Sequence, residues 1–256
     1  MMARLHFVAP IVVAISSVVT ATTVSCPSNL TLSCHNTTAV ANTCCFIPAG
    51  QILQTQFWDS SPSAGPSDSW TIHGLWPDYC DGTYPQFCDT SREYTDIRGL
   101  VTKFASAATL SYIDTYWVSN SGTDESLWEH EFSKHGTCIS TLNPSCYVGY
   151  QTGQEAADYV TKLVSLFKTL PTYDWLEEAG ITPSTSKTYT LSAIQDALET
   201  QHGAGVTLGC SGKVLNEVWY HFNVRGSLQQ GTFVAANPDG SKSTCPSTGI
   251  KYTPKS

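Results

Sequence analysis

Hydrophobic positions in the second half of the chain follow the spacing of two helices. Between Gln154 and Leu170 an apolar residue recurs every three or four positions, and Pro171 follows directly. The same spacing runs from Leu191 to Gln201, with Gly203 just beyond. This period is typical of a helix that packs one face against a core, and proline or glycine beyond it marks its end. We therefore predict two core-packing helices.

Segments near both ends of the chain have the pattern of strands. Gln51 to Trp58 and Trp70 to Trp76 are rich in aromatic and β-branched residues, and Val214 to Val224 alternates apolar with polar residues. Such segments, bounded by turn residues, indicate strands, and Gly231 to Ala236 can pair with the third of them through a turn near Gly226. Strands early and late with helices between them predict an α+β fold, with a central, mainly antiparallel sheet and packed helices in one domain.

The N-terminus has the features of a secretory signal peptide. Arg4 precedes an apolar run from Phe7 to Val19, and small residues follow up to Ala21. A charged start, a short apolar run and a small-residue end are typical of a signal, while a membrane-spanning helix needs about 20 apolar residues. We expect residues 1–21 to be removed and residues 22–256 to form a secreted, unanchored catalytic domain, with a vacuolar compartment as the alternative address.

All ten cysteines lie beyond the predicted cleavage point, and their even number predicts five disulfides. A zinc site is the competing use of clustered cysteines, but no CxxC pair occurs, and the adjacent Cys44 and Cys45 suit two separate bridges. The sequons at Asn29 and Asn36 predict N-linked glycans. These features together indicate an oxidising, glycosylating compartment.

Composition and charge restrict the classes of function. Only 13% of residues are charged and 41% are hydrophobic, which excludes a disordered chain. The net charge is −8, and loss of Arg4 with the signal makes it −9. An acidic protein does not hold nucleic acid by a general basic groove, so any bound polyanion must meet a local cationic cluster.

The segment from Asp124 to His135 predicts a short helix with four ionisable side chains on one face. At 100° per residue, His130, Glu131, Lys134 and His135 share an arc of about 140°, next to an aromatic edge. The letters HEFSKH resemble a zinc-protease motif, but that motif needs histidines four apart, and position 134 is lysine. A solvated charged face is the remaining alternative to a functional cluster.

A second motif, WTIHGLWPD at residues 70–78, places His73 on a predicted strand. A single histidine on a strand is usually structural. With His135 and Lys134, however, His73 supplies an acid, a base and an oxyanion stabiliser, which suffice for attack on a phosphodiester by its neighbouring 2′-hydroxyl without metal or cofactor. Trp76 and Tyr84 are candidate stacking partners for a base.

These two motifs resemble the active-site segments of the ribonuclease T2 family, the secreted acid ribonucleases of fungi and plants. The resemblance rests on WTIHGLWPD at 70–78 and WEHEFSKHGTC at 128–138, and LQTQFW at 53–58 and CDGTY at 80–84 extend it over nearly the whole mature chain. It implies an α+β fold and endonucleolytic cleavage of RNA with little base specificity. The implied products are 2′,3′-cyclic phosphates, which are then hydrolysed to 3′-phosphates.

The resemblance also implies a role for each ionisable residue of the two motifs. His135 corresponds to the general base for the 2′-hydroxyl, and His73 to the general acid for the 5′-oxygen. Glu131 and Lys134 correspond to the residues that stabilise the phosphorane, and His130 to a phosphate-binding residue.

Substrate-binding residues and disulfide pairings follow from the same resemblance. Trp76, Asp78 and Tyr84 correspond to the primary base site, where Asp78 would accept a hydrogen bond from an adenine amino group. Gln56 corresponds to a secondary base site. The implied disulfides are Cys26–Cys45, Cys34–Cys80, Cys44–Cys146, Cys88–Cys138 and Cys210–Cys245.

RNA, but not DNA, is therefore the expected partner, and the protein is expected to act as a monomer. Catalysis requires one neutral and one protonated histidine, which predicts an acidic optimum. Acidity has a second effect, because protonation of the protein reduces its repulsion of RNA. The alternative function is a catalytically silent secreted protein that binds or recognises RNA on the same scaffold.

Overall fold

Seven strands form the sheet structure in the part of the chain that the computed structural model describes, residues 22–240 and 242–256. The predicted signal peptide lies outside the described residues. The strands are β1 (Thr22–Thr23), β2 (Gln51–Phe57), β3 (Thr71–Asp78), β4 (Tyr147–Val148), β5 (Val206–Ser211), β6 (Val214–Arg225) and β7 (Thr232–Ala235). Four of them confirm the predicted strands to within two residues at each end.

Six α-helices lie between or beside these strands in the described residues. They are α1 (Ile97–Phe104), α2 (Ala107–Tyr116), α3 (Asp124–Lys134), α4 (Gln154–Phe167), α5 (Thr172–Glu178) and α6 (Leu191–His202). Helix α4 ends three residues before the predicted end, at Phe167, and tighter i→i−3 hydrogen bonds from Thr169 N to Leu166 O and from Leu170 N to Phe167 O continue the chain to Pro171. Helix α6 continues one residue further than predicted, to a left-handed Gly203.

The main sheet is antiparallel and contains five strands. Its order is β3-β2-β6-β5, and β7 pairs with the second half of β6. The predicted late hairpin is confirmed, since Phe222 pairs with Ala235 and Arg225 with Thr232. Strand β5 was not predicted: Val206, Leu208 and Cys210 alternate with polar or small residues, but the strand is only six residues long and contains Gly209. It forms by pairing with the first half of β6.

The two faces of the sheet have different roles. Ile52, Ile72 and Val218 lie on one face and are fully buried in the main hydrophobic cluster, and helix α4 packs against β2 and β3. Tyr159 of α4 covers the outer edge of β3, where its hydroxyl donates to Leu75 O and accepts from Leu75 N. The opposite face is left open for the candidate site.

The structure contains all five disulfides that the resemblance implies. They are Cys26–Cys45, Cys34–Cys80, Cys44–Cys146, Cys88–Cys138 and Cys210–Cys245. The fourth bridge ties the turn after α3 to the loop that carries Tyr84, next to the site. Among the described residues, no helix combines the length and the apolar character needed to cross a membrane.

Candidate active site

His73 lies in a β-bulge on β3. Its neighbours Ile72 and Gly74 pair with the consecutive residues Gln56 and Thr55 of β2, so His73 is the extra residue. Bulges change the direction of a side chain and are frequent next to active sites. The backbone oxygen of His73 accepts a 2.8 Å hydrogen bond from Trp117 Nε1, and its ring stacks on Phe57 at 3.7 Å. The bulge thus directs a well-supported imidazole onto the open face of the sheet.

Helix α3 brings the other ionisable residues to this face. Thr123 and Ser126 form a capping box at its start, which satisfies backbone donors that a helix leaves unpaired. Trp128 and Phe132 are fully buried, and Trp128 Nε1 donates to Trp117 O at 2.8 Å. Because Trp117 in turn bonds to the backbone of His73, these tryptophans fix α3 against β3.

Glu131 occupies the centre of the site and is almost completely buried. Its Oε2 accepts a 2.7 Å hydrogen bond from Trp76 Nε1, and its Oε1 lies 3.4 Å from His73 Nε2. Burial opposes ionisation, but the nearby His73 outweighs it and lowers the pKa of Glu131. A Cβ atom on Gly74 would lie 1.8 Å from Glu131 Oε2, so glycine at this position makes room for the buried carboxylate.

A second carboxylate contacts the other side of His73. Glu217 Oε1 on β6 lies 3.1 Å from His73 Nδ1, so each ring nitrogen faces an acidic group. Burial disfavours the charged imidazolium, but Glu131 and Glu217 outweigh it and raise the pKa of His73 to about 9. His73 is therefore protonated at neutral and acidic pH.

His135 has the opposite environment. It follows α3 directly and is 4% exposed, and among the described residues neither ring nitrogen has a hydrogen-bond partner. Burial, together with the positive charge of Lys134, lowers the pKa of His135 to about 3, although Glu131 opposes this. Its ring stacks on Trp76 at 4.9 Å. His135 is therefore a neutral imidazole with both nitrogens unoccupied.

His130 lies at the rim of the site. Its side chain is exposed, and its ring is 6.2 Å from that of Phe87 in an edge-to-face arrangement. Lys134, one turn further along α3, is partly buried and lines the site cavity. The predicted arc thus has three members at the centre, Glu131, Lys134 and His135, and one at the edge.

A cavity of about 370 Å³ opens beside His135. It is lined by the predicted base-site residues Trp76, Asp78 and Tyr84, together with Trp219 and Lys242. Tyr84 is 56% exposed at its mouth. Asp78 is 8% exposed, and burial raises its pKa to about 7. The cavity therefore combines aromatic surface with a carboxyl group that takes up a proton in mildly acidic solution.

The predicted secondary base site at Gln56 is not supported by the structure. Gln56 has no exposed surface, and its amide nitrogen donates to Leu170 O and Gln54 Oε1. Its amide oxygen accepts from Thr172 Oγ1 at 2.6 Å. The residue lies on the core face of β2, because side chains alternate along a strand and its neighbour Thr55 faces the site.

Two residues of the site, Glu217 and Trp219, were missed from the sequence. Both lie on β6 and alternate with the buried Val218 and Tyr220. The alternation that predicted the strand also places these two residues on the face opposite the core. It is a signal by which the sequence could have identified them as site residues. The indole nitrogen of Trp219 is buried and, within the described residues, has no hydrogen-bond partner.

The arrangement can perform proton transfer at two points at once. A protonated His73 and a neutral His135 lie on either side of Glu131, with Lys134 adjacent, and these are the groups needed for concerted acid–base attack at phosphorus. Metal-ligand geometry occurs elsewhere in the described residues, at Cys34, Cys80 and Asp239. The two sulfurs there are joined in a disulfide and are not available as thiolates.

Comparison with known proteins identifies the family of this chain. The sequence model of the Ribonuclease T2 family matches residues 49–233. Ribonuclease Trv of Hypocrea rufa is 66% identical over 90% of this chain and 98% of its own length. A Ribonuclease T2-like protein of Aspergillus fumigatus is 55% identical over 88% of this chain, which spans 55% of that protein.

The fold comparison leads to the same family. The crystal structure of Actibind, described as a T2 ribonuclease, superposes with a TM-score of 0.87 at 50% identity and covers 91% of this chain and 99% of its own. A family match over more than half of the chain and relatives of this identity leave no other assignment. The chain therefore belongs to the ribonuclease T2 family and is an endoribonuclease.

Proposed function

We propose that this protein is a secreted, metal-independent endoribonuclease that cleaves single-stranded RNA with little base specificity. The observation that carries the proposal is the placement of two histidines in opposite environments near one buried carboxylate: His73 faces Glu131 and Glu217, whereas His135 is buried next to Lys134. When the environment moves the pKa values of two histidines apart, the one with the raised pKa is suited to act as the acid and the one with the lowered pKa as the base. Here His73 is the acid and His135 the base.

In the proposed first step, a neutral His135 removes the proton of the ribose 2′-hydroxyl, and the oxygen attacks the adjacent phosphorus. The 5′-oxygen leaves with a proton from His73, and a 2′,3′-cyclic phosphate forms. Lys134 stabilises the phosphorane through its positive charge, and Glu131 contributes to this stabilisation indirectly, by favouring the protonated form of His73. In the second step the roles reverse: His73 activates water, His135 returns its proton to the 2′-oxygen, and a 3′-phosphate forms. His130, at the exposed rim, binds phosphate in this hydrolysis.

The cavity next to His135 is the proposed site for the base upstream of the cleaved bond. Tyr84 and Trp76 supply aromatic surface, and stacking is tolerant of base identity because every base has a π face. Below its pKa of about 7, Asp78 carries a proton and offers a donor as well as an acceptor. This dual character suits several bases and supports low specificity.

Substitution of Tyr84 by alanine should raise KM or lower kcat/KM by about 5- to 100-fold, since one stacked base contributes about 1–3 kcal/mol. Steady-state kinetics on the dinucleotides ApU and CpU would measure the effect. Tyr79→Ala is the control, because Tyr79 is also exposed but does not line the cavity. Unchanged kinetics and base preference for Tyr84→Ala would contradict the stacking role.

The two histidine pKa values also determine the expected pH profile. The base must be neutral, and a pKa of about 3 for His135 keeps it neutral far into the acidic range. The acid must be protonated, and a pKa of about 9 for His73 keeps it so above neutrality. On a dinucleotide, kcat/KM should therefore form a broad optimum that falls on the acidic side near the pKa of His135 and on the alkaline side near the pKa of His73.

Polymeric RNA should shift this optimum further into the acidic range, because deprotonation of carboxyl groups increases the repulsion of a polyanion. Titration of kcat/KM with both substrates at low and high salt tests this expectation, since salt screens the repulsion and should bring the two optima together. An alkaline optimum on RNA would contradict it.

Secretion and processing complete the proposal. Residues 1–21 act as the signal peptide and residues 22–256 as the catalytic domain. The side chains of Asn29 and Asn36 are exposed, as N-linked glycans require. Removal of glycans by an endoglycosidase, followed by intact mass measurement, identifies the occupied sequons, and N-terminal sequencing of the secreted protein identifies the cleavage point.

The decisive test of function is incubation of the purified protein with RNA and with DNA of equal length, at about pH 5 in excess EDTA, with analysis of the product ends. RNA cut to 2′,3′-cyclic phosphates with DNA intact supports the proposal. Binding of RNA without cleavage would instead identify a catalytically silent scaffold, and cleavage of both polymers only after metal is restored would identify a metal nuclease.

A further inference from the structure

Glu217 lies on the open face of the sheet at a position prepared for its side chain. On β6 it pairs with Phe57 of β2 on one side and with Gly209 of β5 on the other. A Cβ atom on Gly209 would lie 2.8 Å from both Cβ and Oε2 of Glu217. The β5–β6 register also shifts immediately after Gly209. The absence of a side chain at position 209 therefore leaves the space in which the carboxylate lies.

The carboxylate of Glu217 completes the surroundings of His73. Its Oε1 is 3.1 Å from Nδ1, while Glu131 Oε1 is 3.4 Å from Nε2. Both contacts are ion pairs, and within the described residues Nδ1 forms no hydrogen bond of standard geometry. The ring of Phe57, which pairs with Glu217 across the strands, stacks on the imidazole at 3.7 Å with 20° between the planes. The imidazole therefore stacks on Phe57 and faces a carboxylate at each ring nitrogen.

Other charged groups act on His73 more weakly. Asp59, just beyond β2, interacts electrostatically with His73 and Glu217, and His135, after α3, interacts with His73 and Glu131. In the described part of the chain, the ion pairs of His73 are those with Glu131 and Glu217. Glu131 also accepts a hydrogen bond from Trp76 and faces the phosphate in the proposed mechanism. Glu217 is therefore the carboxylate whose proposed role involves His73 alone.

We infer that Glu217 is a positioning residue for the proposed reaction: it orients His73 through Nδ1, so that Nε2 delivers the proton to the leaving oxygen, and it sets the upper pH limit of activity. The inference rests on the role of His73 as the acid. A carboxylate at Nδ1 selects the tautomer of a histidine and stabilises its charged form.

The same contact has a consequence for the second step. After His73 donates its Nε2 proton, the carboxylate of Glu217, 3.1 Å from Nδ1, favours the neutral tautomer that keeps its proton on Nδ1. Nε2 is then unprotonated and able to take a proton from water when the cyclic phosphate is hydrolysed. Without Glu217 the neutral ring can adopt the other tautomer, which has a proton on Nε2 and cannot act as a base there.

The test compares Glu217→Gln, which removes the charge with little change of shape, with Glu199→Gln, which removes an exposed charge on α6. The pKa of His73 is measured by NMR titration of its ring signals without substrate, and kcat/KM of each variant is measured against pH on a dinucleotide. We expect Glu217→Gln to lower the pKa of His73 by at least about 1 unit and to move the alkaline limb of kcat/KM by the same amount. Glu199→Gln should change neither.

A third variant, Glu217→Leu, removes the acceptor as well as the charge. It should slow hydrolysis of the cyclic phosphate more than Glu217→Gln does, because the amide oxygen of glutamine can still accept from Nδ1. Equal loss of activity at every pH, with the pKa of His73 unchanged, would overturn the inference and leave Glu217 a structural residue. A lowered pKa of His73 with an unmoved alkaline limb would overturn the acid role of His73, and with it the proposed function.

Discussion

Replacement of either His73 or His135 by phenylalanine should reduce kcat/KM by about 100- to 10,000-fold, because general acid and general base catalysis each contribute about 10²–10⁴ to a rate. Phenylalanine retains the planar ring that packs on Phe57 or Trp76 but cannot transfer a proton. His35→Phe is the control, since His35 is exposed outside the site.

The two histidine variants should also differ in pH dependence. His135→Phe removes the group that must be neutral, so its residual activity should lose the acidic limb, whereas His73→Phe should lose the alkaline limb. The measurement is kcat/KM against pH on one dinucleotide for the three proteins, with thermal unfolding as a check of the fold. Near-normal activity of His135→Phe would refute its assignment as the base.

Glu131→Gln is expected to have the second largest effect, a loss in kcat of about 100-fold or more. The change preserves shape and leaves an amide oxygen that can accept from Trp76 Nε1, so the fold around α3 should survive. It removes the buried charge that favours the protonated form of His73, the proposed acid, and loss of general acid catalysis costs about 10²–10⁴ in rate.

The control for this variant is Glu129→Gln, which removes a charge two residues earlier on α3, away from His73. Kinetics of both variants on a dinucleotide should show a fall in kcat with little change in KM for Glu131→Gln, because the carboxylate acts in the transition state. A rise in KM alone would mean that Glu131 only binds substrate. Equal effects of the two variants would show that the total charge of α3, rather than the contact between Glu131 and His73, determines kcat.

Periodicity along single elements was sufficient for much of the fold and for part of the site. The spacing of Glu131, Lys134 and His135 predicted a shared helix face; Lys134 and His135 line the cavity, and Glu131 is buried against Trp76 of its wall. The alternation of apolar residues in β6 predicted both the strand and its pairing with β7. Signals of this kind are local, because a helix or strand repeats its geometry every few residues.

Gln56 and Glu217 show where local signals were insufficient or unused. The family resemblance placed Gln56 at a base site. Side-chain alternation along β2, however, directs Gln56 toward the core, where its amide is hydrogen-bonded to Leu170 O and Thr172 Oγ1. The same alternation along β6 directs Glu217 toward the open face of the sheet. Its partner His73 is 144 residues away in the chain, so the contact has no signature in either segment.

The sequence alone determined which chemical groups the site contains. They are an imidazole on a strand, and a carboxylate, a lysine and a second imidazole on one helix face, because the short-range geometry of a helix or strand decides which residues share a face. Their protonation was decided by folding. The bulge that turns His73 outward, the space above Gly74 for Glu131 and the space beside Gly209 for Glu217 arise only when distant strands pair. Because a pKa depends on burial and on charges within a few ångströms, two chemically identical histidines become an acid and a base only in the assembled structure.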